Sequence, residues 1–244
     1  MDDEALLAGS IERLKASGRI DYRGEFGAEV ATFIPYVAWL KREGLLDGRM
    51  VVSYRGMRPY YSFLSDDEFA ARTEPRAWLP PGERDWPSPE TATAVRSRWH
   101  VMPDYRAHYR DALPPSPLPV LFVQNKFTVE WGVGPVNFMP LIAIERLLRR
   151  VTGRFRVIYS RPGITPPTDD YTPDENTHCA YPDRAMVERF EGVEILEDMA
   201  VRTGGDYNAL KLALLAQAHL FVAVQGGGAH LLAAFGRSLM LLLH

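Results

Sequence analysis

The stretch Leu220-Phe-Val-Ala-Val-Gln-Gly-Gly-Gly-Ala-His-Leu-Leu-Ala-Ala-Phe-Gly236 limits what this chain can fold into more than any other. An apolar run over 220–224 is cut by Gln225 and three glycines, Gly226, Gly227 and Gly228. A second apolar run follows, with His230 in its first helical turn. The pattern reads as strand, tight turn and helix N-terminus. Backbone N–H groups at such a junction lack intrahelical partners and point toward one spot, where the helix dipole favours negative charge. An α/β chain with an anion site is the expectation.

The rest of the second half keeps the same rhythm. Val120–Gln124 predicts a strand, about 136–152 a helix, Arg156–Ser160 a strand, 161–182 a long loop and about 183–190 a short helix. Strand Val193–Leu196, helix 206–218, strand Leu220–Val224, helix 229–235 and a buried strand over 239–243 complete it. Strands alternating with helices imply a parallel sheet with right-handed crossovers. The first half is less regular. Residues 4–16 read as a helix, 19–23 as a weakly signalled strand, Gly24-Glu-Phe-Gly27 as a turn, 28–44 as a helix that Pro35 kinks or delays, and Met50–Tyr54 as a strand. Ten prolines lie between 75 and 119, yet Trp78, Trp86, Trp99, Tyr105 and Tyr109 mark this stretch as folded connection. A boundary at 113–119 divides the chain into 1–112 and 113–244.

Composition narrows the function classes. The net charge of −3 gives no reason to expect a nucleic-acid partner. Cys179 is the one cysteine, so no internal disulfide forms, and a reducing cytoplasm is the natural compartment. The acidic start Met1-Asp-Asp-Glu is no signal peptide, and no apolar run approaches transmembrane length, which leaves peripheral membrane association open. The chain stops at Leu239-Met-Leu-Leu-Leu-His244, in what reads as a core strand, and this suggests a further C-terminal portion. The oligomeric state is not indicated.

Polar residues gather where the predicted strands end. Asn125 and Lys126 follow the first strand of the second half, Arg161 the next, Glu197 and Asp198 the third, Gln225 and the glycines the fourth. Ligands of open parallel sheets bind beyond these carboxyl ends. Lys126 and Arg161 could neutralise a diphosphate, the 226–228 amides could cradle it, and His230 could donate to it as a neutral imidazole. Glu197 or Asp198 could accept from a ribose. Strand ends are normally polar, so each residue alone also reads as structural. The glycines match neither the Gly-x-Gly-x-x-Gly pattern nor a Walker loop. In Arg23-Gly-Glu-Phe-Gly-Ala-Glu29, Glu25 lies on a strand-to-helix loop, where it reads either as a helix N-terminal acid or as a general base. No metal-ligand spacing occurs among the six histidines, and Asp169-Asp170 reads as a solvated turn that could hold Mg²⁺ beside a diphosphate.

Taken together, these residues resemble GT-B-type glycosyltransferases. More narrowly, the chain is similar to bacterial and viral polysaccharide-type transferases related to the family of the extracellular O-GlcNAc and plant xylan transferases. The resemblance covers about 24–64 and 120–243. It rests on Gly24-Glu-Phe-Gly27 with Phe33-Ile-Pro35, on Asn125-Lys126, on Asn208, and on Gln225-Gly-Gly-Gly-Ala-His230, which stands where the family has His-Gly-Ala-Gly-Leu. Gln225 thus replaces the family's leading histidine. The resemblance implies an α/β fold of two Rossmann-like lobes, parallel sheets with helices on both faces. The acceptor lobe is then 1–112, and 113–244 holds the nucleotide sugar. It also implies a glycan or other hydroxyl acceptor in the cleft, no catalytic metal and no cofactor beyond the nucleoside-diphosphate sugar. In that reading Lys126, Arg161, Gln225, Gly226, Gly227, Gly228 and His230 bind the donor and Glu25 is the base. A pyruvyl or phosphate-ester transferase, and a non-catalytic glycan-binding or assembly module, remain alternatives on the same architecture.

Overall fold

In a computed structural model, residues 3–76, 79, 84, 86, 87, 96–129, 132–165 and 177–242 are described. Trp78, Asp169 and Asp170 lie outside them. The chain forms two compact units, one reaching to Pro103 and the other beginning at Asp104. Both are α/β, with parallel sheets flanked by helices. No helix among the described residues is long and apolar enough to cross a membrane.

The first unit opens with helix α1 (Asp3–Ser17). Strands β1 (Arg19–Asp21), β2 (Met50–Tyr54) and β3 (Phe69–Arg72) then form a parallel sheet in the order β1-β2-β3. The long helix expected over 28–44 is broken into three pieces. Helix α2 (Phe26–Ala28) passes into a π-helical turn, Glu29–Phe33, and then into α3 (Ile34–Arg42). Pro35 supplies a physical cause. It has no N–H for the carbonyl of Ala31 four residues back, and its ring clashes there in a regular α-helix. The Ala31 carbonyl instead accepts from His100 Nε2 at 2.9 Å.

The second unit carries a five-stranded parallel sheet in the order β10-β9-β4-β6-β8. These strands are β4 (Val120–Gln124), β6 (Arg156–Ser160), β8 (Val193–Ile195), β9 (Ala218–Val224) and β10 (Ser238–Leu242). Every residue of β4 is buried, as a central parallel strand covered on both faces requires. One face sets Leu121, Val123, Val157, Tyr159, Ile195, Val222 and Val224 against Ile144 and Leu148 of the helix Leu141–Val151. The other face receives the helices Leu196–Thr203 and Tyr207–Gln217, the latter started by Asp206, whose side chain accepts from Ala209 N at 2.8 Å. An antiparallel ribbon of β5 (Thr128–Val129) and β7 (Thr177–His178) stands apart from this sheet.

One expectation is overturned. The last strand, read as buried, is a solvent-facing edge: Met240 is 60% and Leu241 42% exposed. It pairs with β9 on one side only.

Candidate functional site

Strand order locates the site before any side chain is considered. From β4 the chain crosses to β6 and β8, then returns past β4 to β9 and β10. The crossovers diverge between β4 and β9, and a crevice opens at such a switch point beyond the carboxyl ends of the strands. The residues there are Gln124 at the end of β4, Asn125 and Lys126 after it, and Gln225 with the glycines after β9.

The glycine turn and the end of β4 fit closely. Gly226 has φ +147°, a value L side chains rarely adopt, and a Cβ on it would stand 3.2 Å from Lys126 Nζ. A Cβ on Gly228 would stand 2.3 Å from Gln124 Nε2 and 2.6 Å from its Cδ. Lys126 and Gln124 therefore straddle the turn, one laid over each glycine. Helix Gly227–Ala233 starts here, so an ammonium, a carboxamide and the backbone of a helix start share one small region. The Oε1 atom of Gln124 is buried without a hydrogen-bond partner. Buried polar atoms are seldom left so, and one at a crevice marks a place for a ligand or water donor.

The other expected residues divide. His230 lies in the same first turn, exposed, and desolvation shifts its pKa below the ordinary histidine value, which favours the neutral imidazole. The Gln225 side chain is exposed, and its N–H extends the sheet to Leu242 O at 3.3 Å. Arg161 is buried elsewhere. Its Nε and Nη2 clasp the Asp183 carboxylate at 2.7 and 2.9 Å, and Asp183 also accepts from Tyr159 Oη at 2.6 Å. Asn125 joins that network through Tyr159 at 3.1 Å. Asp198 is bonded to Arg184 and Thr165.

Glu197 is buried. Its Oε1 accepts from Ser160 Oγ at 2.8 Å and Tyr207 Oη at 3.2 Å, while Oε2 is buried without a partner. Burial pushes this carboxyl above its usual range, against the pull of those donors and of Lys211.

Glu25 belongs to the first unit. It precedes Phe26–Ala28 in extended conformation, φ −72° and ψ 153°, and its side chain makes no capping bond. Its neighbour Glu29, expected simply in a first helical turn, is fully buried and paired with Arg76 at 2.7 Å.

Gln124 is the residue that sequence reasoning passed over. It is the one polar side chain in Val-Leu-Phe-Val-Gln, two residues before Lys126, and that spacing places both on one side of the strand.

Comparison with solved structures gives the same architecture. The chain superposes on the E. coli heptosyltransferase WaaC with ADP at a TM-score of 0.51 and 12% identity, over 91% of this chain and 86% of that one. It also superposes on TibC, an iron-containing dodecameric glycosyltransferase from enterotoxigenic E. coli H10407, at a TM-score of 0.53 and 11% identity. That match covers 91% of this chain and 56% of TibC, so the chain spans about half of that protein. The fold is that of the GT-B glycosyltransferases. No family profile and no curated protein matches the sequence. The GT-B likeness therefore carries the architecture, while the narrower likeness to O-GlcNAc and xylan transferases has no counterpart among these neighbours.

Proposed function

We propose that the protein is a glycosyltransferase that uses a nucleoside-diphosphate sugar. The observation that carries this is the seating of Lys126 over Gly226 and of Gln124 over Gly228 at the switch point of a GT-B-type sheet. A diphosphate meets a cation, first-turn amides and a neutral imidazole there, all suited to charge that grows on a leaving group. In the reaction, the acceptor hydroxyl oxygen forms a bond to the anomeric carbon of the donor. The bond from that carbon to the diphosphate oxygen breaks, and its electron pair leaves with the diphosphate. Glu25 takes the acceptor proton. Lys126 offsets the leaving charge, His230 donates to a phosphate oxygen, and Gln124 accepts from a donor hydroxyl. Arg161, committed to Asp183, acts by fixing the strand end and not as a phosphate clamp. The donor is a substrate, and no resident cofactor or metal enters the scheme.

The neighbour that holds ADP makes ADP the first nucleotide to try, with UDP and GDP beside it. Titration calorimetry of the intact protein is expected to show binding of one of the three. Lys126→Ala should weaken it about tenfold to hundredfold, the worth of one charge-assisted contact. Absence of binding by all three, or equal binding by Lys126→Ala, refutes the reading.

A further inference from the structure

We propose that Arg76, with Tyr22 and Tyr54, positions the Glu25 carboxylate, and that the buried Glu29–Arg76 ion pair is the anchor of this device. The proposal rests on the role given to Glu25 above. It begins from a placement that stability does not explain. The Arg76 and Glu29 side chains are 1% and 0% exposed, inside an aromatic core. Apolar residues of similar volume commonly replace such a pair with no loss of stability.

The second arm of Arg76 shows where the pair acts. Nη2 meets Glu29 Oε2 at 2.7 Å, and Nη1 donates to the Gly24 carbonyl at 3.2 Å, one residue before Glu25. The guanidinium cannot swing away. It lies 4.2 Å from the centre of the Tyr54 ring, and the second Glu29 oxygen is held by Ser53 Oγ and by Tyr61 Oη at 2.7 Å. The turn is caught at three further points. Tyr54 Oη accepts the Gly24 N–H at 3.2 Å, Tyr22 Oη donates to the Glu25 carbonyl at 2.5 Å, and the Glu29 N–H donates to that same carbonyl at 3.1 Å. Loop polar groups ordinarily turn to backbone or water. Here side chains from β1's end, β2 and the segment after β3 hold the backbone on both sides of one residue.

Gly24 tightens the arrangement. Its φ is +149°, and a Cβ would stand 2.7 Å from Tyr22 Oη. On the turn itself, the groups gripped are the Gly24 N–H and the Gly24 and Glu25 carbonyls, all of them backbone. The direction of its Cα–Cβ bond is thus fixed by its neighbours, the arrangement a reacting carboxylate needs. Lysine at position 76 keeps the charge but lacks the fork that reaches both partners. Arg76 touches no reacting atom in this account, so it is a positioning residue.

The test uses Arg76→Lys and Tyr22→Phe, each alone and combined with Glu25→Gln. Turnover is read as nucleoside diphosphate released from ADP-, UDP- and GDP-linked hexoses, with water or added oligosaccharide as acceptor. Hydrogen exchange over residues 20–30 is read in parallel. Each single variant should lower kcat about tenfold to hundredfold, with the donor KM unchanged. Neither should lower kcat further in the Glu25→Gln background, and exchange should rise in 20–30 alone. Losses that multiply in that background overturn the proposal. So does an unaltered kcat in a variant whose turn has loosened. If Arg76→Lys does not fold, Tyr22→Phe and Tyr54→Phe, each lacking one hydroxyl, carry the test. A wild-type protein that releases no diphosphate from any donor removes the glycosyltransferase reading itself. An active wild type with insensitive tyrosine variants removes only the positioning role.

Discussion

Replacing Arg76 by methionine should destabilise the first unit by about 3–5 kcal/mol, the usual cost of removing one partner of a buried ion pair. The geometry puts this site at the upper part of that range. Both side chains are essentially unexposed, so water cannot reach Glu29 once the guanidinium is gone. Ser53 and Tyr61 still donate to Oε1, but Oε2 loses its 2.7 Å partner. Against a typical stability of about 5–15 kcal/mol, this is about a fifth or more of the total. At about 2–4 °C per kcal/mol, the midpoint should fall by about 6–20 °C. Urea unfolding followed by tryptophan fluorescence suits the measurement, because four of the five tryptophans (Trp39, Trp78, Trp86 and Trp99) precede Pro103. Glu29→Met alone should cost a similar amount, since it strands Arg76. The double variant should cost at least about 2 kcal/mol less than the sum, because no orphaned charge remains. Strict additivity, or a loss below about 1 kcal/mol for Arg76→Met, would refute the claim that this pair is a desolvated, mutually dependent unit.

Two further outcomes are expected. Gly228→Ala places a methyl 2.3 Å from Gln124 Nε2, so the carboxamide must retreat. The expected cost is about 1–3 kcal/mol of overpacking, together with loss of nucleotide affinity in calorimetry, and unchanged stability with unchanged affinity would contradict the contact. For Glu197, burial raises the folded-state pKa, so the stabilising effect of its proton is complete below the ordinary carboxyl value and is lost as pH rises through the folded one. Glu197→Gln should therefore gain melting temperature relative to wild type between pH 4 and pH 7. A difference that does not change with pH would speak against a desolvated carboxyl.

Much of the second unit is legible in the sequence because buried parallel strands are written as short apolar runs. Val120–Gln124 and Arg156–Ser160 have the expected bounds, and the helix expected over 206–218 spans Tyr207–Gln217. Other features leave weaker traces. Strand Phe69–Arg72 has two alanines among four residues and little β-propensity, and the β5–β7 ribbon has two residues a side. Pro35 announces a disturbed helix, but the π-helical turn before it also depends on His100 taking the freed carbonyl, which no local pattern encodes. The partners Glu29 and Arg76 lie 47 residues apart with no spacing rule between them. Arg161 shows the opposite case: its position at a strand end is as expected, and its partner Asp183, on a turn 22 residues on, decides its use.

Strand β4 divides its labour by parity. Gln124 and Lys126 meet the glycine turn, while Asn125 between them faces the other way and ties Tyr159 to Met139. Inserting or deleting one residue within Val120–Gln124 would exchange these duties, sending the scaffold amide to the glycine turn and its two neighbours into the packed layer. The composition of this strand can drift, but its length can change only in steps of two, so the crevice is protected by a counting rule as much as by the identity of its residues.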